Sequence, residues 1–262
     1  MDYRFNAGSV PLLVSMPHVG TDIPDDIAAG MAPCAQARAD TDWHLEQLYG
    51  FAQELGASTL AARWSRYVID LNRPPENTNL YPGQDTTGLC PVDTFGREPL
   101  YQPGRAPDAA EVQRRLAAYW QPYHDCLRTE LSRLLARHGR VVLWEAHSIA
   151  SVVPRFFEGK LPDLNFGTAD GASCDGALTD LVTGLARAGD RFTVAVNGRF
   201  KGGHITRRYG NPAGGVHAIQ LEMCQSTYMN ESFPFDYRPD LAAQVQPVLR
   251  DMLQAAAGWA RP

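Results

Sequence analysis

The sequence predicts an α/β fold, a three-layer sandwich around a mostly parallel or mixed central sheet. Two observations lead there. Short apolar runs alternate with longer helix-like stretches, the order that builds layered α/β folds. Several of those runs are apolar without interruption, as strands covered on both faces require. In chain order, PLLVSM at 11–16 reads as a strand. Residues 42–55 read as a helix, because Leu45, Leu48, Ala52 and Leu55 recur near helical spacing and Gly56 ends it. STLAA at 58–62 and YVIDL at 67–71 read as two more strands. Residues 74–107 are rich in glycine and proline, a long loop of the kind that serves as a lid. Residues 108–138 form one helix or two, with Pro122 kinking or splitting it and Gly139 stopping it. VVLW at 141–144, FTVAV at 192–196 and HAIQL at 217–221 complete the strands. Helices fall at 176–188 and 239–259, the last with a break at Pro247. No repeat, low-complexity tract or linker divides the chain, so one domain spanning 1–262 is expected.

Composition removes several function classes. Lys and Arg total 24 against 29 Asp and Glu, a net charge of −5, with a pI near 5.8. A nucleic-acid binder would carry a basic excess or stripe. No apolar run is long enough to span a bilayer, and the N-terminal residues lack the pattern of a secretory signal, so a cytoplasmic protein is expected. The five cysteines (Cys34, Cys90, Cys126, Cys174 and Cys224) are odd in number, widely spaced and without a CxxC pair, which argues against a disulfide framework or a zinc knuckle.

Function enters through position. His18 follows PLLVSMP, Asn72 and Arg73 follow YVIDL, Glu145 and His147 follow VVLW, Asn197 follows FTVAV, and Glu222 follows HAIQL. Ligands of open α/β sheets bind beyond the carboxyl ends of the strands, so these residues outline one cleft. A lone histidine is usually a hydrogen-bonded loop or core residue. His18 and His147, at the ends of two separate strands, can instead converge on one ion. A hydrolytic zinc takes three protein ligands and leaves a position for water. The third is expected from the stretch ADTDWH: Asp42 first, since it borders the buried stripe of the predicted helix, then Asp40, which also suits an N-cap, then His44. Glu222 lies inside an apolar run, where a carboxylate is costly unless paired or functional. Burial would raise its pKa and suit it to general-base work. Glu145, two residues before His147, is the competing carboxylate or a hydrogen-bond partner of that histidine.

Arginines form the second theme. Arg66, Arg73, Arg199, Arg207 and Arg208 lie near predicted strand ends or in NGRFKGGHITRRYGNPAGG. Bidentate guanidinium–carboxylate pairing is the common way to hold an acidic substrate, and the glycines there would let backbone approach a ligand. The stretch has no GxxxxGK[ST] and is not a P-loop.

The segments PLLVSMPHVGTDIP, ADTDWHLEQLY, SRYVIDLNRPPENTNLYPG, LWEAHSI, NGRFKGGHITRRYG and GVHAIQLEMCQSTYMNE run colinearly from Pro11 to Glu231. In combination they resemble the N-formylglutamate amidohydrolase (N-formylglutamate deformylase) family. The resemblance implies a zinc-carboxypeptidase-like α/β fold and metal-dependent hydrolysis of N-formyl-L-glutamate to formate and L-glutamate, in histidine breakdown. It implies a divalent metal as cofactor, zinc first, although two histidines and one carboxylate also suit iron(II), cobalt or manganese, and a small dicarboxylate as partner. By carry-over, His18 and His147 match the histidine ligands, Glu222 the general base, and Asn72 and Arg73 the residues that grip a substrate carboxylate; His204 and Arg207 fall in the substrate-binding stretch. Zinc carboxypeptidases place a ligand glutamate three residues after the first histidine. That position here is Thr21, so Asp42 is the carboxylate expected to replace it. Two other readings keep the same residues: a related deacylase for another N-acyl amino acid, or a non-catalytic binder of acidic metabolites. A cysteine hydrolase using Cys224 is a further alternative without a local signature.

Overall fold

The computed structural model describes residues 2–80 and 83–261; the 74–107 segment and the expected 1–262 domain each include residues outside that range. Seven strands join one sheet: β1 (Tyr3–Asn6), β2 (Leu12–Met16), β3 (Ser58–Ala62), β4 (Val141–Ile149), β5 (Leu164–Gly167), β6 (Val194–Val196) and β7 (Val216–Cys224). Their order is β1-β3-β2-β4-β7-β5-β6. The centre, β3-β2-β4-β7, is parallel. β1 pairs antiparallel with β3, and β5 antiparallel with β7, with β6 parallel to β5. The sheet is therefore mixed.

Helices cover both faces. They are α1 (Asp25–Ala28), α2 (Leu45–Leu48), α3 (Ala109–Arg115), α4 (Gln121–His138), α5 (Gly176–Arg187), α6 (His204–Tyr209) and α7 (Pro239–Trp259). One core packs Leu12, Val14, Trp144, Phe166 and Leu221 against α2, α5 and α7. The other packs Leu13, Leu60, Leu143 and Ala218 against α4, with Ile27 and Ile205 from α1 and α6. Strand alternation separates the two sets: on β4, Val142, Trp144 and Ala146 face the first core, while Leu143 faces the second. Two and four residues past Leu143, Glu145 and His147 keep its orientation toward the α4 side.

Four expectations are corrected. Residues 67–71 are not a strand but a buried loop of successive turns. Its side chains Tyr67, Val68, Ile69 and Leu71 are core residues, so the run is apolar for burial and not for pairing. The helix expected over 42–55 shrinks to α2 and a 3₁₀ turn at Gly50–Ala52. His44 has φ 62°, left-handed backbone that a helix cannot continue through, and the Asp42 N–H donates to His18 O at 3.1 Å. Pro247 does not break α7, which runs through it; Pro247 and Ala243, whose carbonyl loses its donor, are both exposed, so water can serve that carbonyl. Asn197 does not join the cleft with the central strand ends, because β6 runs against β7 and its carboxyl end lies at the opposite edge; its side chain instead caps the 168–170 turn.

The 108–138 stretch is helical throughout, but Leu116–Trp120 between α3 and α4 is a π turn. Pro122 lacks the N–H that would close the ordinary i→i−4 bond there, and the helix widens by one residue just before it. Gly139 then ends α4 with φ 75°.

Candidate active site

Three side chains meet at the carboxyl end of the central strands. His18 follows β2, His147 sits in β4, and Asp42 is carried to them by the backbone bond between residues 42 and 18. Their ligand atoms lie within 4.8 Å of one another, and all three residues are buried. Asp42 Oδ2 is 3.1 Å from His147 Nδ1 and 3.7 Å from His18 Nδ1. Donors in a tetrahedral zinc site, each about 2.0–2.1 Å from the ion, sit about 3.3–3.5 Å apart, so the spacing fits a divalent cation. Asp40, the second choice for that position, turns away: its Oδ2 accepts from Phe95 N at 2.9 Å, and burial pushes its pKa up to about 6. His44 is spoken for by Phe235 O at 2.6 Å.

The outer nitrogens of both histidines are fixed by carboxylates. His18 Nε2 donates to Asp70 Oδ1 at 2.7 Å, and His147 Nε2 donates to Glu145 Oε1 at 2.9 Å. Each carboxylate thereby turns Nδ1 toward Asp42, the arrangement that orients metal-binding histidines. Glu145 is thus the partner of His147, and its other oxygen accepts from Thr206. Asp70, at the polar position inside the YVIDL run, carried no signal of its own in the sequence. Burial alone would raise its pKa, yet His18 and Arg66 hold it well below the carboxylate range, and Arg66 donates to it at 2.7 Å. Burial and the Arg66 charge lower the pKa of His18, keeping it neutral as a ligand must be. Burial also opposes charge on His147, but Glu145 and Asp42 outweigh it and raise that pKa well above the ordinary value. Two carboxylates facing one imidazole call for a positive charge, which a bound cation would provide in place of the proton.

Glu222 stands beside this group. β7 pairs with β4 in a register that puts Glu222 opposite His147, so both project to the same face. The carboxylate is 8% exposed, and burial raises its pKa to about 8, with Asp42 and Glu145 adding to the rise while His147 and Arg66 oppose it. In the metal-free site this carboxyl therefore keeps its proton at pH 7, and a bound cation nearby would favour the ionised form that a general base needs.

A cleft opens in front, lined by His18, Asp42, His147 and Glu222 and by Arg66, Asn72, Arg73, Arg199, Phe95, Phe156 and Phe200 among others. Asn72 is held on two sides: Ile205 N donates to its Oδ1 at 2.8 Å, and a Cβ on Gly203 would sit 2.5 Å from its side chain, so that glycine serves the packing of Asn72. Arg73 reaches the cleft from the 67–73 loop, with Nε 3.8 Å from Asp70 Oδ2. Arg207 and His204 lie outside the lining. Arg207 donates back to Gly202 O at 2.9 Å; the His204 ring packs on Trp120 and His124, and its backbone N–H donates to Asn72 O. The short helix α6 turns them both aside, and Arg199 is the arginine of that stretch that lines the cleft. The 74–107 segment contributes Asp85, Thr86 and Phe95. It is tied down by Arg155, which donates to Asp93 Oδ1 at 2.8 Å and to Thr94 O at 2.7 Å. The aromatic lining carried no spacing signal in the sequence. Cys224 is fully buried, with burial pushing its thiol up to about 12, which removes it as a nucleophile. All five cysteines are free thiols. No helix among the described residues is long and apolar enough to cross a membrane.

Comparison with known proteins adds to this geometry. Residues 10–229 match the family model described as N-formylglutamate amidohydrolase. An N-formylglutamate deformylase of Pseudomonas putida is 51% identical over 255 residues, covering 97% of this chain and 95% of the relative. One from Pseudomonas aeruginosa is 52% identical over 257 residues, covering 98% and 96%. The crystal structure of an N-formylglutamate amidohydrolase from Ralstonia eutropha superposes with a TM-score of 0.84 at 27% identity, over 99% of this chain and 98% of that one. A gene product of Agrobacterium tumefaciens shares the fold, with a TM-score of 0.74 at 21% identity over 98% and 95%.

Proposed function

This chain belongs to the N-formylglutamate amidohydrolase family, and from that premise we propose that it hydrolyses N-formyl-L-glutamate to formate and L-glutamate at the cleft around His18, Asp42 and His147. The observation that carries the reading is the pairing of this buried metal-binding group with Glu222 on the neighbouring strand. The hydrolytic centre is the three-ligand set, and two imidazoles with one carboxylate suit zinc. A bound divalent cation would supply Lewis-acid activation of water and of the formyl carbonyl.

The chain's own groups do the rest. Glu222 takes the proton from the attacking water on its carboxylate and delivers it to the departing amine nitrogen, so that the C–N bond breaks to free formate and the amino group of glutamate. Asp70 and Glu145 keep the His18 and His147 rings in one tautomer and one orientation. Arg73, steadied beside Asp70, holds one substrate carboxylate with Asn72 alongside. Arg199 holds the second, the part the sequence suggested for Arg207. Phe95, Phe156 and Phe200 give the cleft apolar wall surface beside its charged groups. Discrimination rests on the two carboxylates, since a formyl group offers little surface. The residues of the cleft come from both ends of the chain, and we take 1–262 as one catalytic domain. Free thiols agree with a reducing, cytoplasmic setting.

Metal analysis with a formate-release assay tests the reading. Zinc-loaded protein should release formate from N-formyl-L-glutamate faster than it deacylates N-acetyl-L-aspartate. Faster turnover of the acetyl compound would assign a different substrate, and binding of N-formyl-L-glutamate without turnover would leave a binding protein.

A further inference from the structure

We infer that the π turn at Leu116–Trp120 aligns a row of three donor side chains, Arg115, Trp120 and His124, that positions the 67–73 loop and with it Asp70, Asn72 and Arg73. The inference rests on the reading of the cleft as a metal-dependent hydrolase and names positioning residues for it that do not touch the cleft.

The loop lacks a sheet partner, so its buried carbonyls need other donors. Three come from one helical face. Arg115 Nη1 donates to Val68 O at 3.0 Å, His124 Nε2 to Leu71 O at 2.9 Å, and Trp120 Nε1 to Arg73 O at 3.1 Å. All three side chains are buried. Each is itself braced: Arg115 by Glu111 and by the Tyr101 hydroxyl, and His124 by stacking on Trp120 at 3.6 Å and by the Tyr209 hydroxyl. The Tyr101 hydroxyl in turn donates to Tyr67 O. On its other side the same loop presents Asp70 to His18, and Asn72 and Arg73 to the cleft.

Helix geometry explains why the π turn belongs here. Residues five apart on an α-helix point about 140° apart, and residues four apart about 40°. Trp120 and His124 are four apart and share a face. Arg115 and Trp120 are five apart and would not. The extra residue taken up by the π turn lets Arg115 and Trp120 behave as if four apart. The wider turn is therefore the device that brings the third donor into line with the loop.

Amide hydrogen exchange of the full-length protein, read at residues 67–73 without substrate, tests this together with steady-state kinetics. Trp120→Phe keeps an aromatic ring against His124 but removes the donor to Arg73 O. It should speed exchange of the Asn72 and Arg73 amides about tenfold and raise KM for N-formyl-L-glutamate by a similar factor while kcat changes little. Arg115→Met should weaken zinc binding about 10- to 100-fold, the usual cost of disturbing a partner of a ligand, and Arg115→Lys should restore much of it. Leu127→Ala, a core change on the same helix that touches no loop carbonyl, sets the effect of general destabilisation. Unchanged exchange in Trp120→Phe, or equal exchange and KM changes in Leu127→Ala, overturns the inference. If Arg115→Met does not fold, Trp120→Phe against Leu127→Ala decides. A wild-type protein inactive on N-formyl-L-glutamate would overturn the functional reading, and the exchange comparison would still decide the positioning role.

Discussion

Replacing Glu222 with glutamine separates catalysis from metal binding. The change is nearly isosteric, and Glu222 is outside the group formed by His18, Asp42 and His147, so zinc content should stay near one ion per chain. Loss of a general base lowers kcat/KM by about 10²–10⁴, which is about 3–5 kcal/mol in the barrier. Folding stability should move the other way. In the metal-free protein the carboxyl pKa is about 8, against 4.5 for an ordinary glutamate. At pH 7 the folded state keeps a proton that the unfolded chain has released. That mismatch costs about 3 kcal/mol at about 1.4 kcal/mol per pH unit. Its effect is absent below pH 4.5 and grows as pH rises to 8. Chelator-treated Glu222→Gln should therefore unfold at higher urea than chelator-treated wild type at pH 7, with the gap closing toward pH 4.5. Formate release, metal content and urea melts at the two pH values are the assays. Turnover within tenfold of wild type would remove Glu222 from the reaction, and loss of zinc would make it a ligand.

Arg73→Ala should raise KM for N-formyl-L-glutamate about 10- to 100-fold, the size of a lost charge-assisted hydrogen bond, with zinc retained; metal loss at constant KM would make Arg73 structural. Asp70→Asn should weaken zinc binding about 10- to 100-fold, because His18 loses the carboxylate that fixes its ring; competition with a chelator of known affinity measures it, and unchanged affinity would contradict the role. His124 has its pKa lowered by burial to about 3, so the fold keeps it neutral while the unfolded chain takes up a proton below pH 6.5. Stability from this group is complete above pH 6.5 and falls as pH drops toward 3, by about 2 kcal/mol at pH 5; urea melts should show the wild type losing about that much more than His124→Gln between pH 6.5 and pH 5, and equal losses would contradict the reasoning.

The central strands were legible because uninterrupted apolar runs such as VVLW have no other use in a layered fold. His18, His147 and Glu222 were legible for the converse reason: a histidine or glutamate at the end of such a run has no role in the core. Residues 67–71 show the limit of that logic. Their side chains are as buried as those of a strand, but side chains of a distant helix satisfy their carbonyls, and apolar pattern records burial without recording who supplies the hydrogen bonds. β1 and β5 were missed because YRFN alternates between half-buried and exposed and LNFG is short and carries a polar Asn165. The preference for Asp42 over Asp40 agrees with the geometry, although the helix invoked for it is absent; backbone bonding to His18 does what helical periodicity was expected to do. Arg207 and Arg199 share one glycine-rich stretch, and only the turn of α6 tells which of them faces the cleft.

The two kinds of cleft residue stand on different supports. His147 and Glu222 belong to neighbouring strands in the middle of the sheet, while Arg73 and Arg199 come from loops outside the sheet. On the function proposed above, the reactive centre and the selectivity of the molecule are separable parts. An engineer who wanted a hydrolase for a different acylated amino acid could vary 198–201 and leave the strands alone, keeping Asn197, which caps the 168–170 turn, and Gly203, which packs on Asn72 and donates to Gln220 of β7.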